Sequence, residues 1–358
     1  MHRPPPSGER ADGPHGRRAG GGALRLAPRG SAPRRHHDTN VWIDTCQAAP
    51  WVLDSPTGYG LARRARAAGI ETAVCAPGMI VRAPGDGVKT DKRDALKLAR
   101  LHAAGQLVLV HVPEAGHEQL RDLARCREDL RGDLMRARHQ IAKLLLRRET
   151  CFPGRGRAWT REHRDWLASL RFVDRASELC FADYLHAHDV LLARRDTLDA
   201  AFDETALDSP WAPIIARLRC LRGIDTLSAF GICAEVCDFE RFTKPTAFSA
   251  YLGLVPTENT SGEKRRQGSI TKPGSTHARR LLVEAAWHYR RPPAVSGALR
   301  RRQAGRERWA IDCPWRAQRR LHGRWQRLRA GRGKPGGVAA IAIARELSHF
   351  CWELAITD

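Results

Sequence analysis

A regular seven-residue pattern between Glu118 and Glu149 restricts this chain more than any other stretch. The apolar residues of its stripe are Leu120, Leu123, Leu130, Leu134, Ala137, Ile141 and Leu144. They occupy seven of eight inward heptad positions, and Arg127 is the exception. Such a repeat is typical of a long helix whose apolar stripe packs against another helix. The chain is therefore predicted to contain at least one long helix.

A second helical stretch follows, and the two helices could pack in either of two ways. Tyr184, Leu191 and Leu198 recur at heptad spacing, after a Phe-Pro-Gly break and a basic linker at residues 152–165. The region 113–210 is therefore predicted to be helical. Its helices could fold back on each other as a hairpin, or they could form a coiled coil that joins two copies of the chain.

The charge of the chain indicates its partner rather than its fold. The 358 residues include 61 Lys+Arg against 39 Asp+Glu, which gives a formal charge of +22 and a pI near 10.6. Such a basic balance favours a polyanion, with a ribosomal or membrane-surface protein as the plainer alternative. No apolar run reaches the length of a membrane span, and no apolar segment follows the N-terminal arginines. We therefore expect a cytoplasmic protein without a membrane partner.

Residues 242–290 place a hydroxyl on a glycine-flanked loop with several cations close by. An apolar helix is broken at Gly253 and Pro256, and a turn of small residues with Ser261 follows. The nearby cations are Lys264, Arg265, Arg266, Lys272, Arg279 and Arg280. A nucleophile that allows close approach, together with positive charge, is what phosphodiester chemistry needs. The plainer alternative is a basic surface loop that happens to contain a serine.

This stretch closely resembles the C-terminal domain of the IS110-family insertion-sequence transposases, in particular their IS1111 group. The matching residues are Gly253-Leu254-Val255-Pro256, Ser261-Gly262, Arg265-Arg266, Gly268, Ile270-Thr271-Lys272, Gly274, Arg279 and Leu281-Leu282. The resemblance implies a recombinase that acts on double-stranded DNA and is guided by a structured RNA from its own element. It also implies that Ser261 attacks a DNA phosphate and forms a covalent 5′-phosphoserine.

The region 41–112 has the pattern of an α/β domain, with a helix that begins near Asp91. Thr90 is a good N-cap for this helix. Asp91 and Asp94 are three residues apart on it, so their β-carbons should lie about 5–6 Å apart on one face. Two carboxylates so placed can hold a hard divalent cation between them. A capped helix start exposed to solvent is the plainer alternative.

The same region resembles the N-terminal domain of the family, which has a RuvC-like RNase H fold and an Asp-Glu-Asp-Asp metal site. The resemblance is carried by residues 55–60, Pro77, residues 84–86 and residues 89–95. By that resemblance, Asp91 and Asp94 are the last two carboxylates and hold Mg²⁺. The nucleic-acid contacts predicted from charge and resemblance are Lys89, Lys92, Arg93, Lys264, Arg265, Arg266, Lys272, Arg279 and Arg280.

The first two carboxylates of that metal site lack clear counterparts. Leu53 stands where the family has its glutamate, and Asp54 is one residue beyond, on the opposite face of a strand. Asp44 lies too close to Asp54 to be the first aspartate. Residues 1–40 are rich in Arg, Gly, Pro and His, so we expect them to be disordered and to hold no credible first strand. We therefore expect the resemblance to begin near residue 52, after a frameshift or a wrong start, and the RuvC-like domain to be incomplete.

The C-terminal half is predicted to be mainly helical. Within the transposase core, residues 211–290, the segment Leu221-Arg222-Gly223-Ile224-Asp225 resembles the turn of a helix-hairpin-helix motif. Asp225 replaces a glycine of that turn, so a packing role is an equal alternative to DNA contact. Residues 291–334 are rich in arginine and include Trp309, Trp315 and Trp325, which suits nucleic acid unless this is a poorly folded tail. A final helix is expected within residues 335–358.

These observations predict an α/β + α fold: an incomplete RuvC-like domain, a helical coiled-coil hairpin and a mainly α transposase domain. The predicted function is DNA transposition with a serine nucleophile and Mg²⁺, by a homo-oligomer, since family members assemble through this helical region. With two of its four carboxylates missing, the chain as written is expected to hold Mg²⁺ weakly and to cut DNA poorly or not at all. The first alternative is accordingly a catalytically inactive nucleic-acid-binding remnant of such a transposase. A Holliday-junction nuclease that uses only the metal site is the second.

Overall fold

Helices dominate the computed structural model, which describes residues 23–24, 51–54, 59–80, 90–258 and 267–357. The strands are β1 (Ala23–Leu24), β2 (Trp51–Asp54), β3 (Thr72–Cys75), β4 (Pro256–Glu258) and β5 (Gln267–Ile270). The α-helices are α1 (Gly60–Ala67), α2 (Asp91–Ala103), α3 (Ala115–Arg147), α4 (Arg161–Ser169), α5 (Arg175–Asp208), α6 (Ala212–Leu218), α7 (Thr226–Val236), α8 (Pro245–Tyr251), α9 (Thr276–Ala286), α10 (Gly297–Gln303), α11 (Arg308–Gln326) and α12 (Gly336–Ile356). The chain divides into two units, residues 1–114 and 115–358.

In the first unit, a small mixed sheet has helices on both faces. β1 pairs antiparallel with β2, and β2 pairs parallel with β3, with α1 as the crossover between them. Leu98 of α2 packs against Val52 and Cys75, while Ala62 of α1 packs against Val74. Because neighbouring strand residues face opposite sides, these contacts place α1 and α2 on opposite faces of the sheet. The predicted α/β character of this region is thus present.

The N-terminal stretch contains a strand that the sequence did not predict. Ala23 pairs with Leu53, and Leu24 pairs with Val52. No credible first strand with the family's first aspartate was expected within residues 1–40; the structure has a two-residue strand there, and neither residue is an aspartate. The rest of that range, together with Asp44, lies outside the described residues.

In the second unit, α3 and α5 form an antiparallel helical hairpin. Arg127 Nη2 donates to Asp199 Oδ2 over 3.1 Å, and Arg138 Nε donates to His188 Nε2 over 3.5 Å, so α5 runs backwards along α3. The heptad positions from Leu130 to Leu144 are buried. The salt bridge to Asp199 explains why an arginine is accepted in the apolar stripe. The stripe is used within one chain, and assembly of two chains through it stays a prediction.

The helices α6 to α12 surround the main apolar core. Residues 229–236 of α7 are all buried, and α12 packs against α6, α8, α9 and α11. The arginine-rich stretch 291–334 is folded onto this core, because Trp325 is 7% exposed and Trp309 is partly buried against it. Only Trp315, at 39%, remains an exposed ring among the three predicted to stack on nucleic acid. No helix in the described ranges combines the length and apolarity needed to cross a bilayer.

Candidate active site and nucleic-acid interface

The predicted nucleophile lies in the sequence between two strands that pair with each other. Glu258, the last residue of β4, is paired with Gln267, the first residue of β5. Residues 259–266 lie outside the described residues, and they include Ser261, Lys264, Arg265 and Arg266. The structure therefore describes the two anchored ends of the predicted catalytic loop.

The paired strands β4 and β5 form a two-stranded ribbon, and two glycines allow the turns at its base to fit together. Gly253 and Gly274 have φ angles of +66° and +71°, in the left-handed region that favours glycine. A Cβ on Gly253 would lie 2.5 Å from Pro273 O, and a Cβ on Gly274 would collide with Tyr251 O. The turn after α8 and the turn before α9 therefore fit together only without side chains at these positions. Lys272, with a φ of +63°, is exposed beside them and has no side-chain partner within the described residues.

Arg279 holds the same two turns together. Its Nη1 donates to Leu252 O over 2.9 Å and to Pro273 O over 3.0 Å, and its Nη2 donates to Thr276 Oγ1 over 3.2 Å. Burial lowers the pKa of the Arg279 guanidinium. Arg279 was predicted to contact nucleic acid, but in this structure its donors position the base of the ribbon. A phosphate contact by Arg279 stays a prediction.

Arg280 is balanced by carboxylates of the protein itself. Its Nε donates to Glu128 Oε1 over 2.9 Å, and its Nη1 donates to Glu284 Oε2 over 2.6 Å. Burial by itself would raise the pKa of Glu128, but hydrogen bonds from Arg131 and Arg280 lower it. Because Glu128 lies on α3 and Arg280 on α9, this pair ties the helical hairpin to the core. A phosphate contact by Arg280 stays a prediction.

A buried carboxylate that the sequence analysis missed, Glu235, lies at the centre of a charged cluster. It is 3% exposed and accepts hydrogen bonds of 3.0 Å from both Nε and Nη2 of Arg125. His277 lies between two carboxylates, with Nδ1 3.4 Å from Glu235 Oε1 and Nε2 3.8 Å from Glu128 Oε2. Burial alone would raise the pKa of Glu235, but the hydrogen bonds from His277 and Arg125 lower it to about 2. The available signal was a lone acidic residue in the apolar helix α7.

The turn between α6 and α7 depends on Gly223 and Asp225. Gly223 has a φ of +85°, and a Cβ there would lie 2.8 Å from Ala285 O. Asp225 caps α7, since its carboxylate accepts from Ser228 N over 2.8 Å at an ordinary φ of −106°. The expected backbone cost of an aspartate at this position therefore does not arise. DNA contact by this turn stays a prediction beside its packing role.

The predicted metal ligands lie in the first turn of α2, which begins at Asp91. Thr90 is its N-cap, because its hydroxyl accepts from Arg93 N over 3.3 Å. Asp94 is partly buried and has no side-chain hydrogen bond or ion pair within the described residues. Lys92, like Arg93, is exposed, so the first turn of α2 also carries positive charge. Lys89 lies outside the described residues.

A Mg²⁺ site at Asp91 and Asp94 stays a prediction. Carboxylate oxygens suit Mg²⁺, and the two residues lie three positions apart at the start of α2, but the side chain of Asp91 is outside the described part of the structure. Asp54 pairs with Cys75 at the carboxyl ends of parallel strands, where ligands commonly bind in α/β sheets. Among the residues with described side chains, no group of three or more His, Cys, Asp or Glu residues could hold a metal.

Comparison with known proteins gives the family. Residues 37–148 match the DEDD domain model of the IS110 transposases, and residues 215–297 match the model described as the transposase IS116/IS110/IS902 family. The chain is 38% identical to "Putative transposase y4qE" of Sinorhizobium fredii over 300 residues, which cover 84% of this chain and 73% of that protein. The chain belongs to the IS116/IS110/IS902 family of transposases. It is also 32% identical over 284 residues to the transposase for insertion sequence element IS1533 of Leptospira borgpetersenii, with 78% and 81% of the two chains covered.

Membership of the IS116/IS110/IS902 family confirms the predicted identity as an insertion-sequence transposase, a class of DNA recombinase. The DEDD match implies a RuvC-like fold for the first unit, and it begins at residue 37 rather than near residue 52. The second match includes Ser261 and ends at residue 297. The helices α11 and α12 lie beyond that match, although they pack into the same core.

Proposed function

We propose that this transposase cuts and exchanges DNA strands with Ser261 as nucleophile and with Mg²⁺ held in part by Asp91 and Asp94. Ser261 Oγ attacks a DNA phosphorus, the bond to the 3′ oxygen breaks, and the serine becomes joined to the 5′ phosphate. The serine proton passes to a base outside the loop, and the 3′ oxygen leaves as a hydroxyl after taking up a proton. Bound Mg²⁺ supplies charge that stabilises phosphate oxygens.

The anchored loop is the observation that carries this proposal. Its ends are paired at Glu258 and Gln267, and its base is interlocked through Gly253 and Gly274. Pairing of β4 with β5 fixes the two points from which the segment with Ser261 starts and ends, which reduces the freedom that must be lost before the hydroxyl can attack. The loop also carries three cations, which suit the charge that develops on phosphate oxygens: Lys264, Arg265 and Arg266.

We further propose that the enzyme works in the cytoplasm as a homo-oligomer guided by a structured RNA. The excess of positive charge supports a second polyanion besides double-stranded DNA. Apolar side chains at one end of the α3–α5 hairpin support assembly, because Leu146 is 74% exposed and Leu179 is 57% exposed. The oligomer would form through this end of the hairpin.

The proposal is tested by trapping protein that is covalently joined to DNA. The purified chain, Mg²⁺, the RNA of its element and DNA with the element ends are incubated, denatured and separated by gel electrophoresis. We expect adducts with the wild-type chain and none with Ser261→Ala, while DNA binding persists because the cations remain. Ser269→Ala, on the adjacent strand β5, is the matched control and should form adducts. Adducts formed by Ser261→Ala would show that another residue is the nucleophile.

A nucleic-acid-binding protein without catalysis is the second candidate, and Leu53 favours it. This position corresponds to the second carboxylate of the family site, and it lies within strand β2. A site that lacks this ligand should hold Mg²⁺ weakly. Under this candidate, the purified chain binds DNA but forms no adduct and exchanges no strands in Mg²⁺. Robust strand exchange would exclude it.

A further inference from the structure

Two adjoining clefts open beside the turn between α6 and α7. The first, of about 560 Å³, is lined by Arg219, Arg301, Arg302 and Arg306 and is here named the arginine cleft. The second, of about 430 Å³, shares Asp225 and Arg302 with it. Three of the four arginines lie beyond residue 297, where the family match ends.

The arginine cleft has more positive than negative side chains among the described residues, with four arginines against one aspartate. Its acidic residue, Asp225, already accepts the capping hydrogen bond from Ser228 N. Within the described part of the chain, Arg219, Arg301 and Arg306 make no side-chain hydrogen bond or ion pair. The arginines of α11 differ, because three of them pair with glutamates of α12. The charge of the cleft is thus available to an external anion.

The positive side chains that line the two clefts repel one another, and their partial burial strengthens this repulsion. Burial, and then repulsion from Arg219, lowers the pKa of Arg302. In the second cleft, burial and the charges of Arg291 and Arg222 lower the pKa of His288. Like charges repel more strongly in a partly desolvated site than in water. An anion bound there would relieve this repulsion.

Two buried donors of the arginine cleft lack an acceptor. Arg219 Nε and Arg302 Nε are both buried, and neither has a hydrogen-bond partner within the described residues. Buried polar groups are nearly always hydrogen-bonded in folded proteins, so each exception needs a reason. An anion with several oxygens would satisfy donors of this kind.

The walls of the cleft are held in place by the protein itself. Arg302 Nη1 donates to Ile224 O, and Arg222 donates to Pro292 O over 2.9 Å and to Ala294 O over 3.0 Å. These bonds tie α10 and the segment before it to the α6–α7 turn. Because this frame exists without a ligand, binding would require little ordering of the backbone.

We propose that the arginine cleft binds the phosphodiester backbone of a nucleic acid, at a site separate from the Ser261 loop. The inference rests on the proposed function, in which nucleic acid is the substrate. Guanidinium groups match phosphate oxygens with paired N–H donors. The apolar lining consists of Ala298 and Ala304, so the described lining of the cleft has no aromatic ring on which a base could stack. Contact with the backbone, which DNA and RNA share, is therefore favoured.

The test compares how salt weakens binding of the wild-type full chain and of Arg301→Gln/Arg306→Gln. Both arginines are exposed and unpaired within the described residues, so the fold should persist. The probes are a labelled mixed-sequence DNA duplex and a labelled RNA hairpin. Each lost duplex phosphate contact lowers the slope of log K against log salt by about 0.9, so we expect a decrease of about 2. Arg301→Lys/Arg306→Lys should keep most of the slope, because it keeps both charges.

The matched control is Arg155→Gln/Arg157→Gln, which removes the same charge from an exposed stretch near the far end of the hairpin. That end lies about 30 Å along α3 from the main core, at 1.5 Å per residue. A slope change with one probe identifies DNA or RNA as the ligand, and a change with both identifies the shared backbone. If the wild-type chain binds and the cleft variant has an unchanged slope, the arginine cleft does not bind the phosphodiester backbone. The proposed function is not affected by that result. A wild-type chain that binds neither probe overturns both.

Discussion

Arg125 on α3 donates two parallel hydrogen bonds of 3.0 Å to the carboxylate of Glu235 on α7. The Glu235 side chain is 3% exposed, whereas the Arg125 side chain is 55% exposed, so one partner is buried and the other reaches water. His277, in the first turn of α9, contacts the same carboxylate. The cluster therefore links the long hairpin to the helix that follows the predicted catalytic ribbon.

We predict that Arg125→Ala destabilises the protein more than Glu235→Gln does. Removing Arg125 takes two hydrogen bonds from a buried carboxylate and leaves His277 as its remaining partner, whereas removing the charge of Glu235 leaves an arginine that can reach solvent. The double variant should therefore be more stable than Arg125→Ala alone. Urea unfolding of the three variants measures this double-mutant cycle. If the two single variants lose equal free energy of unfolding, and the double variant loses their sum, the assignment of Glu235 as the buried partner is contradicted.

The same carboxylate predicts a loss of stability in acid. The pKa of Glu235 falls from 4.5 to about 2 on folding, so its contribution is complete above pH 4.5 and is lost as the pH falls to 2. A shift of this size corresponds to about 3 kcal/mol. Between these pH values, the free energy of unfolding should fall more steeply for the wild-type chain than for Glu235→Gln. Parallel pH curves for the two proteins would contradict this prediction.

Local patterns predicted the elements well, because they depend on neighbouring residues. The heptad repeat from 118 to 149 predicted a helix, and α3 spans Ala115–Arg147. Thr90 was predicted to cap the helix at Asp91, and it does. The repeat did not predict which helix the apolar stripe of α3 packs against, since such a stripe can pack against a helix of the same chain or of another copy. The Arg127–Asp199 pair shows the packing within this chain.

The sequence could not predict which charged side chains have partners far away along the chain. Arg279 and Arg280 lie in a basic stretch and were predicted to meet phosphate, but their acceptors include Leu252 O and Glu128, far away in the sequence. Glu235 was missed because its partner Arg125 is 110 residues away. The charge of a segment predicts a polyanion in general, yet only the fold shows which cations are already paired.

The interlocked base of the ribbon predicts that Gly274→Ala disrupts the site. A Cβ at this position collides with the backbone oxygen of Tyr251, which no side-chain movement can relieve. Gly333→Ala is the matched control, because Gly333 has a φ of +59° with open space around it. The control should lose only the backbone strain of about 1 kcal/mol, and Gly274→Ala should lose clearly more. Equal losses, measured by thermal unfolding, would show that the two turns are not interlocked.

The charge of +22 predicts strongly salt-dependent binding of nucleic acid. If about six to ten phosphates are contacted, affinity should fall by about 10³–10⁵ between about 50 and 200 mM salt. Fluorescence anisotropy with a labelled DNA duplex measures the slope. A flat response would exclude the backbone as the main source of affinity.

Mapping the covalent linkage tests the central claim most directly. The wild-type chain is incubated with Mg²⁺, the RNA of its element and cleavable DNA, and the protein is then digested and analysed by mass spectrometry. We predict one modified peptide, which carries a 5′-linked nucleotide phosphate on Ser261 and is absent from Asp91→Ala, where the proposed metal site is damaged. A nucleotide on any other residue, or no modified peptide at all, would contradict Ser261 as the nucleophile of this chain.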